Sequence, residues 1–439
     1  MHRHFGNRFL AALTVAATMT VTWVPISCAA DEGTNQVLEW NQILIDTLIQ
    51  ANAVNAASPR LSAIVHTAIF DAYNGIERRY TPIYVQDAAP RGASRRAAVI
   101  AAAYTTLRAL FESRKSDLDA SYAASLAALS DDEDDDGGRS RERGIAWGVQ
   151  VANVVLAWRA TDGFSGTYPP FRGGTAVGQW RPTPPALASM ASQPLAFTQP
   201  FVLASATQFR PPAPRDLLTN TYTDDFNTVK KLGRASGSTR TDDQTSLAPF
   251  WEGNASVHWN QAANQMARAH DVSMSNANRL LAVLNIAMAD TMFTTWNAKR
   301  HFAESDTVVT WRPITAITLA DMDFNPDTEA ETNWAPLLTT PSHPEYPAGH
   351  PSLNGAGATV LLTWFDDAQT FTLTTRTSAG VDLPPRAYNS ISQARTDGNR
   401  ARIWGGMHYP STVAVSNELG ENIANYVNQH AMQRLNGEQ

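Results

Sequence analysis

Apolar residues along this chain recur mostly at the spacing of helices. Between Val37 and Ala57, Leu38, Ile43, Leu44 and Leu48 share one face, and Leu61, Ile64, Val65, Ala68, Ile69 and Ala72 repeat the pattern up to a stop near Asn74-Gly75. Ser94–Leu129, rich in alanine and leucine, predicts two more helices, and Gly144–Ala160 another, closed by Thr161-Asp162-Gly163. Order returns strongly at Ser275, where Leu280, Leu281, Leu284, Ala287, Met288 and Met292 form a stripe leading to Trp296-Asn297-Ala298-Lys299. Leu353–Phe365 reads as a buried helix, with further helices after Pro313, before Arg402 and over Val413–Val427. Strand-like alternation is scarce. The expected class is therefore all-α, with two packed helical bundles.

One stretch breaks the pattern. Between Phe164 and Phe250 the periodicity fades among Pro169, Pro170, Pro182, Pro184, Pro185, Pro211, Pro212 and Pro214. An irregular segment this long suits either wrapping a core or building a pocket wall. The expected organisation is a leader over 1–30, an N-terminal helical bundle plus the Pro-rich segment over 31–250, and a C-terminal helical domain over 251–439. No internal repeat of fixed period appears.

Composition changes the picture in two places. The 439 residues carry a formal net charge of -7, with 43% hydrophobic and 17% charged residues, which argues against a general nucleic-acid binder. A small basic cluster around an anion stays possible. At the N-terminus, a basic stretch over Met1–Arg8, an apolar run over Phe9–Ile26 and the small residues Ser27-Cys28-Ala29-Ala30 predict a signal peptide cleaved after Ala30. Cys28, the sole cysteine, would leave with it, so no disulfide is expected. A lipid anchor at Cys28 is the weaker alternative, because Pro25 fits such a signal poorly. No later segment is long and apolar enough to span a bilayer. The expected location is outside the cytoplasm, periplasmic or secreted.

The acidic run Asp131–Asp136 with Gly137 imitates the first half of a calcium loop. Arg143 stands where the closing glutamate belongs, which favours a solvated inter-helix loop.

The candidate chemistry lies in the last third. His343-Pro-Glu-Tyr-Pro-Ala-Gly-His350 places two prolines ahead of a predicted helix, so Gly349 and His350 stand at a helix N-terminus, where bare amides receive anions. Lys299, Arg312 before Pro313, and Arg402 six residues before His408 add three cations and a second imidazole. Gly405-Gly406 allows a close backbone approach between them. Arginine offers a planar fork of donors and lysine a point charge, a set matched to a small oxyanion. One histidine could coordinate or attack the central atom, and the other could carry protons on its far side.

The order Lys299, Arg312-Pro313, Pro347-Ala348-Gly349-His350, Arg402 and His408 resembles the vanadium-dependent haloperoxidases and the phosphatidic-acid-phosphatase type 2 superfamily around them. That resemblance implies that His408 bonds to the vanadium of vanadate. It implies that Lys299, Arg312 and Arg402, with the residue at Ala348 and the Gly349 amide, hold the oxygens. His350 would exchange protons on the opposite side, making His350 and His408 the catalytic pair. Hydrogen peroxide, halide and a small organic molecule would be the reactants. His343 matches the position that carries histidine in algal bromoperoxidases, which with Trp296 marks a halide pocket and favours bromide or iodide.

The chain departs from the pattern. Ala348 replaces a serine, Ala401 another, and Thr412 stands where many members carry aspartate, removing one plausible orienting partner of His408. The gap from Lys299 to Arg312 is also longer than the common spacing, with a small excursion expected over His301–Thr310. Two other readings keep the same pocket. In one, the enzyme is an exported acid phosphatase in which His408 attacks phosphorus and His350 protonates the leaving group. In the other, the chain is a non-catalytic oxyanion binder.

Overall fold

The computed structural model describes residues 35–129, 138–305, 308–377 and 379–435. The expected signal peptide with Cys28, and the acidic run over 131–137, lie outside them.

Where the apolar stripe is strong, the helices form as the pattern predicts. The first five are α1 (Gln36–Gln50), α2 (Ser58–Glu77), α3 (Arg95–Leu110), α4 (Lys115–Ala127) and α5 (Arg139–Ala160). The Asn35 and Ser94 side chains cap α1 and α3 by accepting the amides of Leu38 and Ala97. The first helix stops seven residues before the expected Ala57. Asn52 there adopts a positive φ of 48°, and Pro59 opens α2 in its first turn, where a missing N–H costs nothing. The fifth starts at Arg139 rather than Gly144, its first turn being charged and so invisible to an apolar count.

Three helices occupy stretches with little apolar signal: α6 (Asn220–Leu232), α7 (Asp242–Phe250) and α8 (Ala255–Ala269). Then come α9 (Met274–Ala303), the short α10 (Pro313–Thr318), α11 (Gly349–Trp364), an antiparallel hairpin of β1 (Phe371–Arg376) and β2 (Asp382–Tyr388), α12 (Ile391–Trp404) and α13 (Pro410–His430). The hairpin is the one sheet among the described residues, so the class is all-α.

Helix α9 is the axis. Its 30 residues span roughly 45 Å at 1.5 Å per residue. Nearly every side chain from Leu280 to Trp296 is buried, because α2 covers one side while α11 and α13 cover another. One continuous apolar core runs through Trp40, Trp259, Phe293 and Leu361, joining early and late helices. Helices α11 and α13 approach closely at Gly355 and Gly420. A Cβ on Gly420 would lie 1.9 Å from the Ser352 carbonyl oxygen, and one on Gly355 would lie 2.2 Å from that of Asn417. That contact brings the start of α11 beside the start of α13.

The Pro-rich segment both wraps the core and walls a pocket. The buried Asp290 carboxylate on α9 accepts the amides of Phe201, Val202 and Leu203 at 2.6, 2.9 and 3.0 Å. Trp180 is fully buried, and its amide donates to the Thr310 hydroxyl at 3.1 Å. Burial of such a ring contributes about 1.5–3 kcal/mol, enough to anchor a segment lacking its own helices. The amides of Thr310 and Trp311 both donate to the Gly178 carbonyl, at 2.8 and 2.9 Å, so the long connection after Lys299 docks on this same segment. No helix of the described residues is long and apolar enough to cross a membrane.

Candidate oxyanion site

Five pieces of chain meet at one end of α9. The helix itself brings Trp296 and Lys299, one turn apart on a buried face. Arg312 precedes Pro313 in an extended conformation at the mouth of α10. The 341–348 loop leads into α11, which begins at Gly349. Arg402 lies in the last turn of α12, and His408 just before α13.

After α12 the chain folds back, the amides of Met407 and His408 donating to the Arg402 carbonyl at 2.9 and 3.3 Å. This hook sets Arg402 and His408 side by side. Gly406, at φ 75°, makes it possible, but the close approach it permits is to Gly233 and Pro336 rather than to a ligand.

His408 is held from both sides. Its Nδ1 lies 2.9 Å from Oε1 of Glu345, while Nη1 of Arg312 lies 3.1 Å from its Nε2. A carboxylate only accepts and a guanidinium only donates, so the proton sits on Nδ1 and the Nε2 lone pair is free of it. Glu345 is fully enclosed, its Oε1 also accepting the Tyr409 amide at 3.2 Å and its Oε2 the Thr412 hydroxyl at 3.0 Å. The absent aspartate at position 412 therefore leaves His408 oriented after all, because Glu345 arrives from the loop between two prolines.

The guanidinium of Arg312 forms the back wall. Its Nε donates to the His343 carbonyl at 2.8 Å, its Nη1 to that of Met407 at 2.9 Å, and its Nη2 to Nδ1 of His343 at 2.8 Å. Nδ1 of His343 must then be the accepting nitrogen, leaving Nε2–H as a donor. Lys299, with no exposed surface, donates to the carbonyls of Pro344 and Glu345 at 2.6 and 3.2 Å. Trp296 donates to the Ala191 carbonyl at 3.1 Å, and its ring lies 5.1 Å from that of His343.

In front lies a cavity of about 210 Å³ lined by Trp296, His343, Gly349, His350, Arg402 and His408, with Ala191 and Ser192 of the Pro-rich segment closing one side. Six of the nine residues expected at the site thus share one cavity. Lys299 and Arg312 stand immediately behind it, and Ala348 is fully buried beneath Gly349, its amide donating to the Ser416 hydroxyl at 2.7 Å. A Cβ on Gly349 would lie 3.1 Å from the Trp296 ring, so any larger residue here would push the indole back by a few tenths of an ångström.

One polar edge beside this cavity lacks a protein partner. Arg402 is 3% exposed, yet its Nε and Nη1 donate to nothing. Nε2 of His350 lies 3.2 Å from the Gly253 carbonyl and donates to it, so Nδ1 carries the lone pair of the neutral ring. A buried charge without a counterion costs several kcal/mol. Burial pulls Arg312 down to about 9 and Arg402 to about 10, and pulls Lys299 well below the usual lysine range. Burial, aided by these cations, keeps His408 and His343 well below the usual imidazole range and His350 at about 3. Glu345 is pushed up by burial against the pull of Arg312 and Lys299. Glu252, which also lines the cavity, is the carboxylate that acts on Arg402. Three cations against these two leave a positive balance, which suits a small anion carrying several oxygens.

Residues 279–437 match the family model described as the VCPO second helical-bundle domain. The match covers the C-terminal bundle, from α9 through α13. The whole structure is similar to a crystal structure described as the first bacterial vanadium-dependent iodoperoxidase, with TM-score 0.76 and 22% identity over 92% of this chain and 98% of that one. It is also similar to an apo-type bacterial vanadium-dependent chloroperoxidase, with TM-score 0.67 and 18% identity over 85% of this chain and 92% of the other. A holo-type bacterial chloroperoxidase gives TM-score 0.63 and 17% identity, over 91% and 94%. At these identities the likeness concerns the fold. No curated protein sequence matches the chain.

Glu345, Glu252, Ser416 and the Gly253 carbonyl lay outside the sequence expectation. Glu345 was the most legible of them, a carboxylate fixed between prolines inside the central motif.

Proposed function

We propose that the cavity holds vanadate and that the chain is a vanadate-dependent haloperoxidase, oxidising halide with hydrogen peroxide to hypohalous acid. The observation that carries this reading is one juxtaposition. The proton-free Nε2 of His408, fixed by Glu345, and the unpartnered guanidinium edge of Arg402 belong to the same buried cavity. The donor set fits the group: an imidazole lone pair for the metal, and arginine, lysine and helix-terminal amides for its oxygens. Vanadate, when bound, supplies a Lewis acid that makes peroxide oxygen electrophilic.

The chain's own residues do the rest. His408 is the metal-facing nitrogen, and Glu345 stabilises the Nδ1–H tautomer that frees it. Arg402 and the Gly349 amide contact the oxygens, while Lys299 and Arg312 add positive charge from behind. His350, neutral before the anion enters, accepts a proton at Nδ1 and holds it with the Gly253 carbonyl behind Nε2–H. Trp296 and His343 form the halide pocket, where Nε2–H of His343 can donate to bromide or iodide. The iodoperoxidase-like architecture supports the same preference. The C-terminal region from 251 onward carries this chemistry, and the Pro-rich segment supplies wall residues. The N-terminal leader pattern supports export.

The test is peroxide-dependent bromination of a phenolsulfonephthalein dye by the protein with orthovanadate, beside phosphate-ester hydrolysis without vanadate. Bromination that disappears in His408→Ala is the expected result. Hydrolysis without bromination would assign the pocket to phosphoryl transfer, and anion binding without turnover to a non-catalytic role.

A further inference from the structure

Glu252 is a carboxylate in a cavity otherwise suited to an anion. It stands in the short connection between α7 and α8, half-buried, and lines the oxyanion cavity with His350, Arg402 and His408. Its backbone is fixed from two sides. The Asn55 side chain donates to the Glu252 carbonyl at 3.0 Å, and Nε2 of His350 donates to the carbonyl of the next residue, Gly253, at 3.2 Å. The carboxylate itself makes no hydrogen bond or ion pair with the described residues, so no such contact of the fold depends on its charge.

Arg402 nevertheless feels that charge. Burial pulls its guanidinium down, and Glu252 is the carboxylate that raises it again. A negative group in the same cavity repels the guest that the cations attract. The repulsion scales with the guest's charge, so it costs a dianion twice the free energy it costs a monoanion of the same size. Doubling a free energy squares the corresponding factor in a dissociation constant. Removing the carboxylate raises the local charge by one unit whatever proton state the buried Lys299 and Glu345 adopt, so the effect does not depend on a count of the remaining charges.

We propose that Glu252 is a charge filter of the oxyanion cavity, lowering its affinity for doubly charged tetrahedral oxyanions relative to singly charged ones of the same size. The filter rests on the anion-binding part of the reading above and not on its peroxide chemistry. It favours vanadate over phosphate, because singly charged orthovanadate loses its next proton at higher pH than singly charged phosphate does.

Perrhenate and tungstate are tetrahedral oxyanions of nearly equal size that carry one and two negative charges. Tungstate is titrated calorimetrically into the full chain at mildly alkaline pH, without vanadate or peroxide, and perrhenate is measured by its displacement of tungstate. In Glu252→Gln, a gain of about fivefold for perrhenate should accompany one of about twenty-five-fold for tungstate, the second factor being the square of the first. Glu252→Asp, which keeps the charge, should hold the ratio of the two affinities within about twofold of wild type. Equal gains for the two anions in Glu252→Gln, or no gain, overturn the proposal, because a steric or structural role would not scale with the guest's charge. So does a ratio that moves as far in Glu252→Asp as in Glu252→Gln, or perrhenate that displaces no tungstate from either protein. Failure of both anions to bind the wild-type chain would instead remove the anion reading of the cavity, and the filter with it. Because no turnover enters these measurements, a chain that shows the squared gain but fails to brominate would sink the haloperoxidase reading and leave the filter standing.

Discussion

Glu345 Oε1 and His408 Nδ1, on two buried side chains, are 2.9 Å apart, and this contact decides which nitrogen of His408 faces the cavity. The carboxylate comes from the loop before α11, whereas the sequence pattern placed the orienting group on α13 at position 412. Removing its charge in Glu345→Gln should lower anion affinity about 10–100-fold, the usual effect of losing a ligand's hydrogen-bonded carboxylate. Thr412→Asp in that background returns a carboxylate to the Thr412 position and should recover part of the loss. In the wild-type chain the same change would crowd two buried carboxylates and destabilise the fold. Vanadate titrations followed by ⁵¹V NMR measure all three variants. Additive losses in the double variant would show that the two positions do not serve one histidine.

Ala348 poses the converse case. It is the N-cap of α11, fully buried, with no side-chain cap. A serine hydroxyl there could accept only from the His350 amide, because Pro351 has no N–H, and its own proton stays available for donation to the oxyanion. A charge-assisted hydrogen bond contributes about 1.5–3 kcal/mol. Ala348→Ser should therefore tighten vanadate binding tenfold or more. Unchanged or weaker affinity in the titration would mean that the loop does not direct this side chain towards the anion.

Arg402 separates function from stability. Its unpartnered Nε and Nη1 are carried at a cost in the anion-free protein. Arg402→Met should melt no lower than wild type without anion. With phosphate or vanadate, wild type gains about 2.7 kcal/mol at a hundred times the dissociation constant, and the variant should gain nothing. Melting curves with and without anion measure both effects. A variant that is less stable without anion would show that the guanidinium serves the fold.

The fold was legible where apolar residues mark a stripe, and the cations and imidazoles were legible as types in a fixed order. Helices α6 and α7 were less so, since threonine and aspartate are the commonest residues in them. Their caps were nevertheless written in the chain, with Thr219 closing the start of α6 and Thr241 and Gln244 forming a capping box on α7. The hairpin was overlooked in the same way, although Phe371, Leu373 and Thr375 alternate buried with exposed neighbours. What no pattern could supply is the hook after α12, or the meeting of Glu345 with His408. The hook packs Gly406 on Gly233 and Pro336, and the meeting of Glu345 with His408 goes with α11 and α13 touching at Gly355 and Gly420, tertiary contacts without a local signal.

His350 should titrate differently in the two states of the site. In the anion-free protein, burial and Arg402 hold it at about 3, so it is neutral across the working range. A bound anion offsets the positive field and raises that value. Histidine-selective NMR titration with and without phosphate is expected to show an upward shift on binding. An unmoved resonance would place His350 away from the anion and remove it as the proton carrier.

His258 predicts how stability depends on pH. It lies 1% exposed between Phe250, stacked at 5.5 Å, and Trp251, edge-on at 4.9 Å, and neither ring nitrogen has a partner. Burial lowers it from 6.5 to about 3. The folded state thus needs the neutral ring, so its contribution is complete above pH 6.5 and is lost as the pH falls from there towards 3. Each pH unit inside that window costs about 1.36 kcal/mol per proton taken up by the unfolded chain. His258→Phe keeps the aromatic packing and abolishes the titration. Relative to wild type, its melting temperature should rise progressively below pH 6 and hold a constant offset above pH 7. An offset independent of pH would mean that His258 contributes nothing to the acid limb.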